Sequence, residues 1–309
     1  LLNPAIWDTE NPNLYFLTTK IIDGKKCYDN STVRFGIREI AYDKDKGFFL
    51  NGKFTKIKGV CLHHDLGALG SAVHRRAIER QLDILQKAGV NAIRTAHNAP
   101  SPQLLELCDE RGIIVLVEAF DTWQHAKVRH DYSRLFEKWW ERDLGDLIKR
   151  DRNHPSVVMW SIGNEVEEQR AGSNDPERNK SVQLTRSIVD VIKRLDNTRP
   201  VTAACNDIRP SNNLLRSGSL DVVGINYNLS IYDAVHEMCP DKPLLASECC
   251  ATGTTRDWNF DTNTEGRIRD KDVDTNNWFL GREKTWKFLT ARPWVLGCYQ
   301  WISFEHRGE

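Results

Sequence analysis

Arg150-Asp-Arg-Asn-His-Pro-Ser-Val-Val-Met-Trp-Ser-Ile-Gly-Asn-Glu165 reads as a buried strand that delivers a charged tip. Val157–Ile162 is almost continuously apolar before Asn164-Glu165. A strand apolar on both faces belongs to a parallel sheet covered on two sides. The same unit recurs on either side. Strand expectations fall at Lys56–Cys61, Ala92–Thr95, Ile113–Ala119, Val201–Ala204, Val222–Asn226, Leu244–Ser247 and Leu296–Ile302. Helical stretches lie between them. Ala77–Lys87 places Ile78, Leu82 and Leu85 on one face and stops at Gly89. Ser101-Pro102 opens a helix that Gly112 closes, and Leu135–Lys149 and Ser181–Leu195 continue the series.

Eight such runs alternating with helices predict an α/β fold, a (β/α)8 TIM barrel over residues 46–309. The roughly 260 residues from Gly47 onward match the ~250 typical of that barrel. A doubly wound open sheet is the alternative, but neither G-x-G-x-x-G nor a phosphate loop follows the first strand. Residues 1–45 differ. Leu14–Ile22 and Ser31–Phe35 are β-rich runs parted by the turn-like pairs Asp23-Gly24 and Asp29-Asn30. Two or three strands are not stable alone, so this segment reads as the last strands of a β-sandwich domain whose start is absent.

Lys+Arg 43 against Asp+Glu 43 in 309 residues gives a formal net charge of +0, which excludes a global basic field for nucleic acid. No apolar run approaches the ~18 residues of a membrane span. Because the first residue is Leu1 and no leader pattern follows, the N-terminus assigns no compartment; bacterial cytoplasm and periplasm both fit. The eight cysteines include no C-x-x-C pair and no Cys/His cluster at zinc spacing, so they read as reduced packing groups.

The strand ends are polar. His63-His64-Asp65 follows the first, Arg94 and His97-Asn98 the second, and Glu118 with Asp121 and Trp123 the third. Asn164-Glu165, Asn206-Asp207, Asn226-Tyr227 and Glu248 follow the next four, and Trp301 and Glu305 the last. In a barrel all of these lie on the C-terminal face, where such active sites are built. Glu165 and Glu248, each closing an apolar strand, suit glycosidic bond cleavage: one carboxyl donates a proton to the leaving oxygen while the other, ionised, attacks the anomeric carbon.

Val157–Glu165 with its lead resembles the acid/base segment of glycoside hydrolase family 2. Phe35-Gly-Ile-Arg-Glu39 is similar to that family's junction between an immunoglobulin-like domain and the barrel. Leu50-Asn-Gly-Lys53 with Lys58-Gly-Val60 resembles its first barrel strand, and Asn91-Ala-Ile-Arg94 with His97 its second. The likeness runs along nearly the whole chain and is greatest to bacterial β-galactosidases, which also show Glu118-Ala-Phe-Asp121 and a Trp-rich helix such as Trp139-Trp140. It implies a retaining exo-β-glycosidase acting on terminal β-galactosides, with Glu165 as acid/base, Glu248 as nucleophile and the carboxyls ~5–5.5 Å apart. Asn164 matches the residue that bonds the sugar 2-hydroxyl, and His63, Arg94, His97, Tyr227 and Trp301 match pocket positions. Trp301 would be the platform for the sugar face and Tyr227 would tune Glu248.

Arg94 could equally serve only to fix a carboxylate, and Asp121 and Trp123 either reach the sugar or brace a loop. His63 precedes His64 on position alone. Cys249 reads as packing, and Asn206 and Asp207 sit at a strand end with no motif attached. The stretch Glu118–Gln124 lacks the histidine with which some relatives bind Mg²⁺, so no metal or cofactor is expected. No Asn-x-Lys lies between Glu248 and Trp301, which disfavours a uronic acid; Asn51-Gly-Lys53 precedes the first barrel strand, on the wrong side. Relatives carry an N-terminal sugar-binding domain and continue past the eighth strand, so those parts are expected to complete the pocket. A β-mannosidase or other β-glycosidase on this barrel, and a barrel that binds glycans without cleaving them, are the competing readings.

Overall fold

The computed structural model describes residues 2–172, 174–251, 280–304 and 306. β1 (Tyr15–Asp23) and β2 (Lys26–Phe35) pair antiparallel around Gly24-Lys25. Asp29-Asn30, read above as a turn, instead continues β2, with a register shift at Ile21/Ile22 absorbing the irregularity. Arg34 ties this hairpin to the barrel through Glu110 at 2.6 Å and the Glu106 carbonyl at 3.0 Å. β3 (Ile40–Asp43), β4 (Gly47–Leu50) and β5 (Lys53–Phe54) form a second antiparallel sheet, so the division expected between residues 45 and 46 falls inside a single sheet.

The continuous apolar runs become the barrel strands. β6 (Ile57–Leu62), β7 (Ala92–Thr95), β8 (Ile114–Glu118), β9 (Val157–Asn164), β10 (Val201–Cys205), β11 (Val223–Asn226), β12 (Leu244–Cys249) and β13 (Val295–Gln300) pair parallel in chain order, and β13 closes on β6. Strand alternation divides the core in two. Ile93, Val115 and Val117 pack outward on Leu82, Leu105 and Cys108 of the surrounding helices. Ala92, Ile114 and Leu116 belong instead with Trp7, Phe48 and Tyr299. Trp7 is fully buried and donates its indole N–H to the Asp109 carbonyl at 2.8 Å. Arg38 donates to the carbonyls of Pro155 and Val157 and Tyr42 to that of Val158, so the residues before β6 stopper the barrel at the N-terminal ends of its strands. This leaves the C-terminal ends for chemistry. At Gly297 (φ +144) a Cβ would lie 2.1 Å from the Ile57 carbonyl oxygen, so only glycine lets β13 close on β6.

The outer layer is α1 (Arg75–Lys87), α2 (Pro102–Arg111), α3 (Ser133–Asp151), α4 (Asp175–Leu195), α5 (Asn213–Arg216), α6 (Tyr232–Met238) and α7 (Arg282–Thr290). Helix α4 starts six residues before the apolar pattern does, because Asn174 caps it by accepting from Glu177 N and Pro176 presets its first turn. Ser101 Oγ accepts from Leu104 N at the start of α2, and Gly112 (φ +68) ends it in the left-handed conformation. Ser101→Ala is expected to lower stability by about 1 kcal/mol in urea unfolding with no change in m-value. Among the described residues no helix is long and apolar enough to cross a membrane. The thiols of Cys61, Cys108, Cys205, Cys249, Cys250 and Cys298 are buried and Cys27 is exposed on the hairpin.

Candidate active site

Arg94, pointing up the barrel axis from β7, organises the C-terminal rim. It is fully buried, and a buried guanidinium is tolerable only when its donors are matched. Nε and Nη2 grip Glu118 at 3.1 and 2.8 Å, Nη2 also reaches Asn164 Oδ1 at 2.9 Å, and Nη1 donates to Glu248 Oε1 at 2.7 Å and to the Ser247 carbonyl at 3.0 Å. Glu118 further contacts His97 Nδ1 at 2.8 Å and accepts from Ser161 Oγ at 2.7 Å. Burial alone would raise the Glu118 carboxyl, but the Arg94 charge and the His97 and Ser161 bonds outweigh it and bring it down to about 2.

Glu165 sits immediately after β9 in a left-handed backbone conformation, φ +43, which is uncommon for a residue with a side chain. Asn226 Nδ2 donates to its Oε1 and Asn206 Nδ2 to its Oε2, both at 2.7 Å. Burial, and then the negative charge of Glu248, push its carboxyl above the ordinary value. Glu248, near the end of β12, takes the Arg94 bond and a hydrogen bond from the Tyr227 phenol. That phenol is pushed up by burial and by the Glu248 charge, so it remains a donor. Continuous polar contacts join the two glutamates: Glu165 to Asn226, Asn226 to Asn164 at 3.1 Å, Asn164 to Arg94, Arg94 to Glu248. One carboxyl faces amides and a like charge, the other a guanidinium. Two carboxyls in such unlike surroundings can divide acid and base roles between them.

The other expected residues separate into those at the rim and those away from it. Asn164 offers Nδ2 to Asp121 Oδ1 at 3.1 Å, and Asp121 pairs with Lys127 at 2.8 Å. His97 stacks on Trp301 with centroids 5.2 Å apart, and His63 stands edge-on to both. Burial, then the neighbouring His306 and His97, bring His63 down to about 3, so its ring is neutral at ordinary pH. His64 turns away to the Ser71 carbonyl. Trp123 is fully buried, donates to the Ile162 carbonyl at 2.8 Å, and stacks on Phe136. Of the two readings of Trp123, bracing fits. Arg94 likewise holds carboxylates from within the barrel. Glu305 lies outside the described residues.

Glu118 and Asn226, named above at strand ends but given no role, complete the network together with Ser161 and Ser247, which were not singled out, and Asn206 touches Glu165 where no motif pointed to it. The signal shared by Glu118, Asn226 and Asn206 is a polar residue at the C-terminal end of an apolar strand. Lys127 comes from an irregular loop and had no signal. Beside the rim an open cleft of about 840 Å³ is lined by residues including His63, His97, Asp121, Tyr132 and Arg150. Among the described residues no cluster of three or more His, Cys, Asp or Glu is placed to hold a metal ion.

A family model described as glycosyl hydrolases family 2, TIM barrel domain, matches residues 42–254, and one described as glycosyl hydrolases family 2 matches residues 1–38. Beta-galactosidase BoGH2A of Bacteroides ovatus is 41% identical over 99% of this chain and 41% of its own length. Beta-glucuronidase of Bacteroides fragilis is 27% identical over 99% of this chain and 45% of its own. The crystal structure of a glycosyl hydrolase family 2 member from Bacteroides cellulosilyticus superposes with a TM-score of 0.82 at 36% identity, covering 98% of this chain and 34% of that one. The chain thus spans less than half the length of each of these relatives.

Proposed function

The chain belongs to glycosyl hydrolases family 2, and from that we propose that it carries the catalytic centre of a retaining exo-β-glycosidase whose substrates are terminal β-galactosides. The observation that supports this most is the contrast between the glutamates: Glu248 is held by Arg94 and Tyr227, while Glu165 is held by two amides and raised. In the first step a Glu248 oxygen bonds to the anomeric carbon, the glycosidic C–O bond breaks, and the Glu165 proton passes to the leaving oxygen. In the second, Glu165 takes a proton from water, the water oxygen bonds to the anomeric carbon, and the ester to Glu248 breaks. Both groups return to their starting states. Tyr227 and Arg94 stabilise the Glu248 carboxylate as it is released, and the stacked His97–Trp301 pair offers an apolar surface to a sugar face.

The galactoside reading draws on the Bacteroides ovatus relative and on the lack of Asn-x-Lys between Glu248 and Trp301. The Bacteroides fragilis relative supports a second reading, a β-glucuronidase. Turnover of the p-nitrophenyl β-galactoside, β-glucuronide and β-mannoside in parallel separates them. The galactoside is expected to have the highest kcat/KM; dominance of either other sugar overturns the substrate but keeps the chemistry.

Since glycosylation needs protonated Glu165, kcat/KM falls as pH rises through the value of that carboxyl in the free enzyme. Burial and Glu248 raise it, so the basic limb is expected above the ~4.3 of an ordinary glutamate. A basic limb at that ordinary value would remove Glu165 from the acid role.

A further inference from the structure

We propose that Lys127 is a positioning residue for the acid/base: its ammonium clamps Asn164 against Asp121 and sets a positive charge facing Glu165. The inference rests on the assignment of Glu165 as acid/base. Lys127 Nζ lies 2.8 Å from Asp121 Oδ1 and 2.7 Å from the Asn164 carbonyl oxygen, and that same Asp121 oxygen accepts from Asn164 Nδ2 at 3.1 Å. Asn164 is therefore gripped at its main chain and its side chain at once. The carbonyl that Lys127 holds belongs to the peptide whose nitrogen is that of Glu165, and Glu165 N is fixed on its other side by the Ala204 carbonyl at 2.8 Å. A residue in the left-handed conformation persists only where its surroundings determine it, and this pair of contacts does so at φ +43. The lysine is itself preset: Asp131 Oδ2 accepts from the main-chain N–H of Lys127 at 2.7 Å and of Val128 at 2.9 Å.

Charge is the second part of the role. Glu165 is faced by Glu248 from β12, Arg94 from β7, the Tyr227 phenol after β11, the Cys205 thiol of β10, the Asn226 and Asn206 amides, and Lys127. Burial and Glu248 push its carboxyl up, while the Asn226 bond, Lys127 and Arg94 pull it back. Arg94 is already shared between Glu118 and Glu248. Lys127 keeps Glu165 from rising so far that it would stay protonated when the second step needs it as a base.

The test compares Lys127→Met, which loses charge and donor, with Lys127→Arg, which keeps both, in the full chain. Two quantities are read: the basic limb of kcat/KM against pH, and the midpoint of the Glu165 carboxyl by difference infrared titration, with Glu165→Gln as the subtracted reference. The methionine variant is expected to move both upward by about half a unit to one unit, with lowered kcat, and arginine to restore most of the shift. A folded Lys127→Met protein whose limb and midpoint stay at the wild-type pH overturns the proposal, whatever its kcat. Should that variant not fold, Lys127→Gln, which retains a donor for the Asn164 carbonyl without the charge, replaces it under the same criteria. The infrared midpoint needs no substrate, so a wild-type protein without turnover would count against the glycosidase reading while this inference is still decided.

Discussion

Exchanging Glu248 for glutamine is expected to lower kcat by about 10⁴-fold or more, because an amide does not form the ester to the anomeric carbon. The fold should survive: glutamine has the same length, and its carbonyl oxygen still accepts from Arg94 Nη1, now 2.7 Å from Glu248 Oε1. A melting temperature within a few degrees of wild type is the outcome to look for. Glu165→Gln should behave differently with substrate. Its loss is large for leaving groups that need a proton and small in the first step for fluoride or dinitrophenolate, which depart without one. If both variants instead unfolded, the carboxyls would be structural ties of the barrel rim, and the separation by leaving group would not appear.

Arg94→Met is expected to have the largest effect on stability. It strips Glu118, fully buried, of its principal counter-charge and leaves Glu248 without its guanidinium. Breaking a buried pair from one side costs about 3–5 kcal/mol, which urea unfolding resolves easily. Lysine is expected to rescue poorly, since it cannot reproduce the contacts that Nε, Nη1 and Nη2 make to Glu118, Glu248 and Asn164. Adding Glu118→Gln to Arg94→Met removes the stranded charge, so the double variant should be more stable than the single one. The pH dependence has a definite sign. Glu118 is depressed from 4.5 to about 2, so the stability it gains from Arg94 is fully present above the unfolded value and is lost as pH falls toward about 2. The gap between wild type and Arg94→Met should therefore narrow across that acid window. A constant gap would mean that packing, not charge, dominates the position.

The barrel was legible because its strands are apolar on both faces; Ala92–Thr95 in β7 matches its expected bounds residue for residue. Polar starts were less legible. The first turns of α4 carry Asp175, Glu177 and Lys180, and only the Asn174 cap marks them. The short helices α5 and α6 lack the length for a periodic pattern to show. Glu165 and Glu248 stood out because each ends an apolar strand, whereas Asn206 and Asn226 share that position but are also common turn residues. Trp123 shows the opposite limit: its place after β8 suggested the sugar, yet the indole turns inward to the Ile162 carbonyl, a choice made by packing against Phe136. Lys127 is set by Asp131 and Asp121 across an irregular loop, a contact that no spacing encodes.

The measurement that bears most directly on the two-glutamate mechanism is intact-protein mass after incubation with 2-deoxy-2-fluoro-β-galactosyl fluoride, followed by peptide mapping. The corresponding 2-deoxy-2-fluoro glucuronyl and mannosyl fluorides would be run in parallel. A mass increase of one fluorogalactosyl unit located on Glu248 is the predicted result, and it would fix nucleophile, retention and sugar together. An adduct on Glu248 from another sugar would change the substrate alone. An adduct on any other residue, or inactivation and turnover with no adduct at Glu248, would contradict the mechanism.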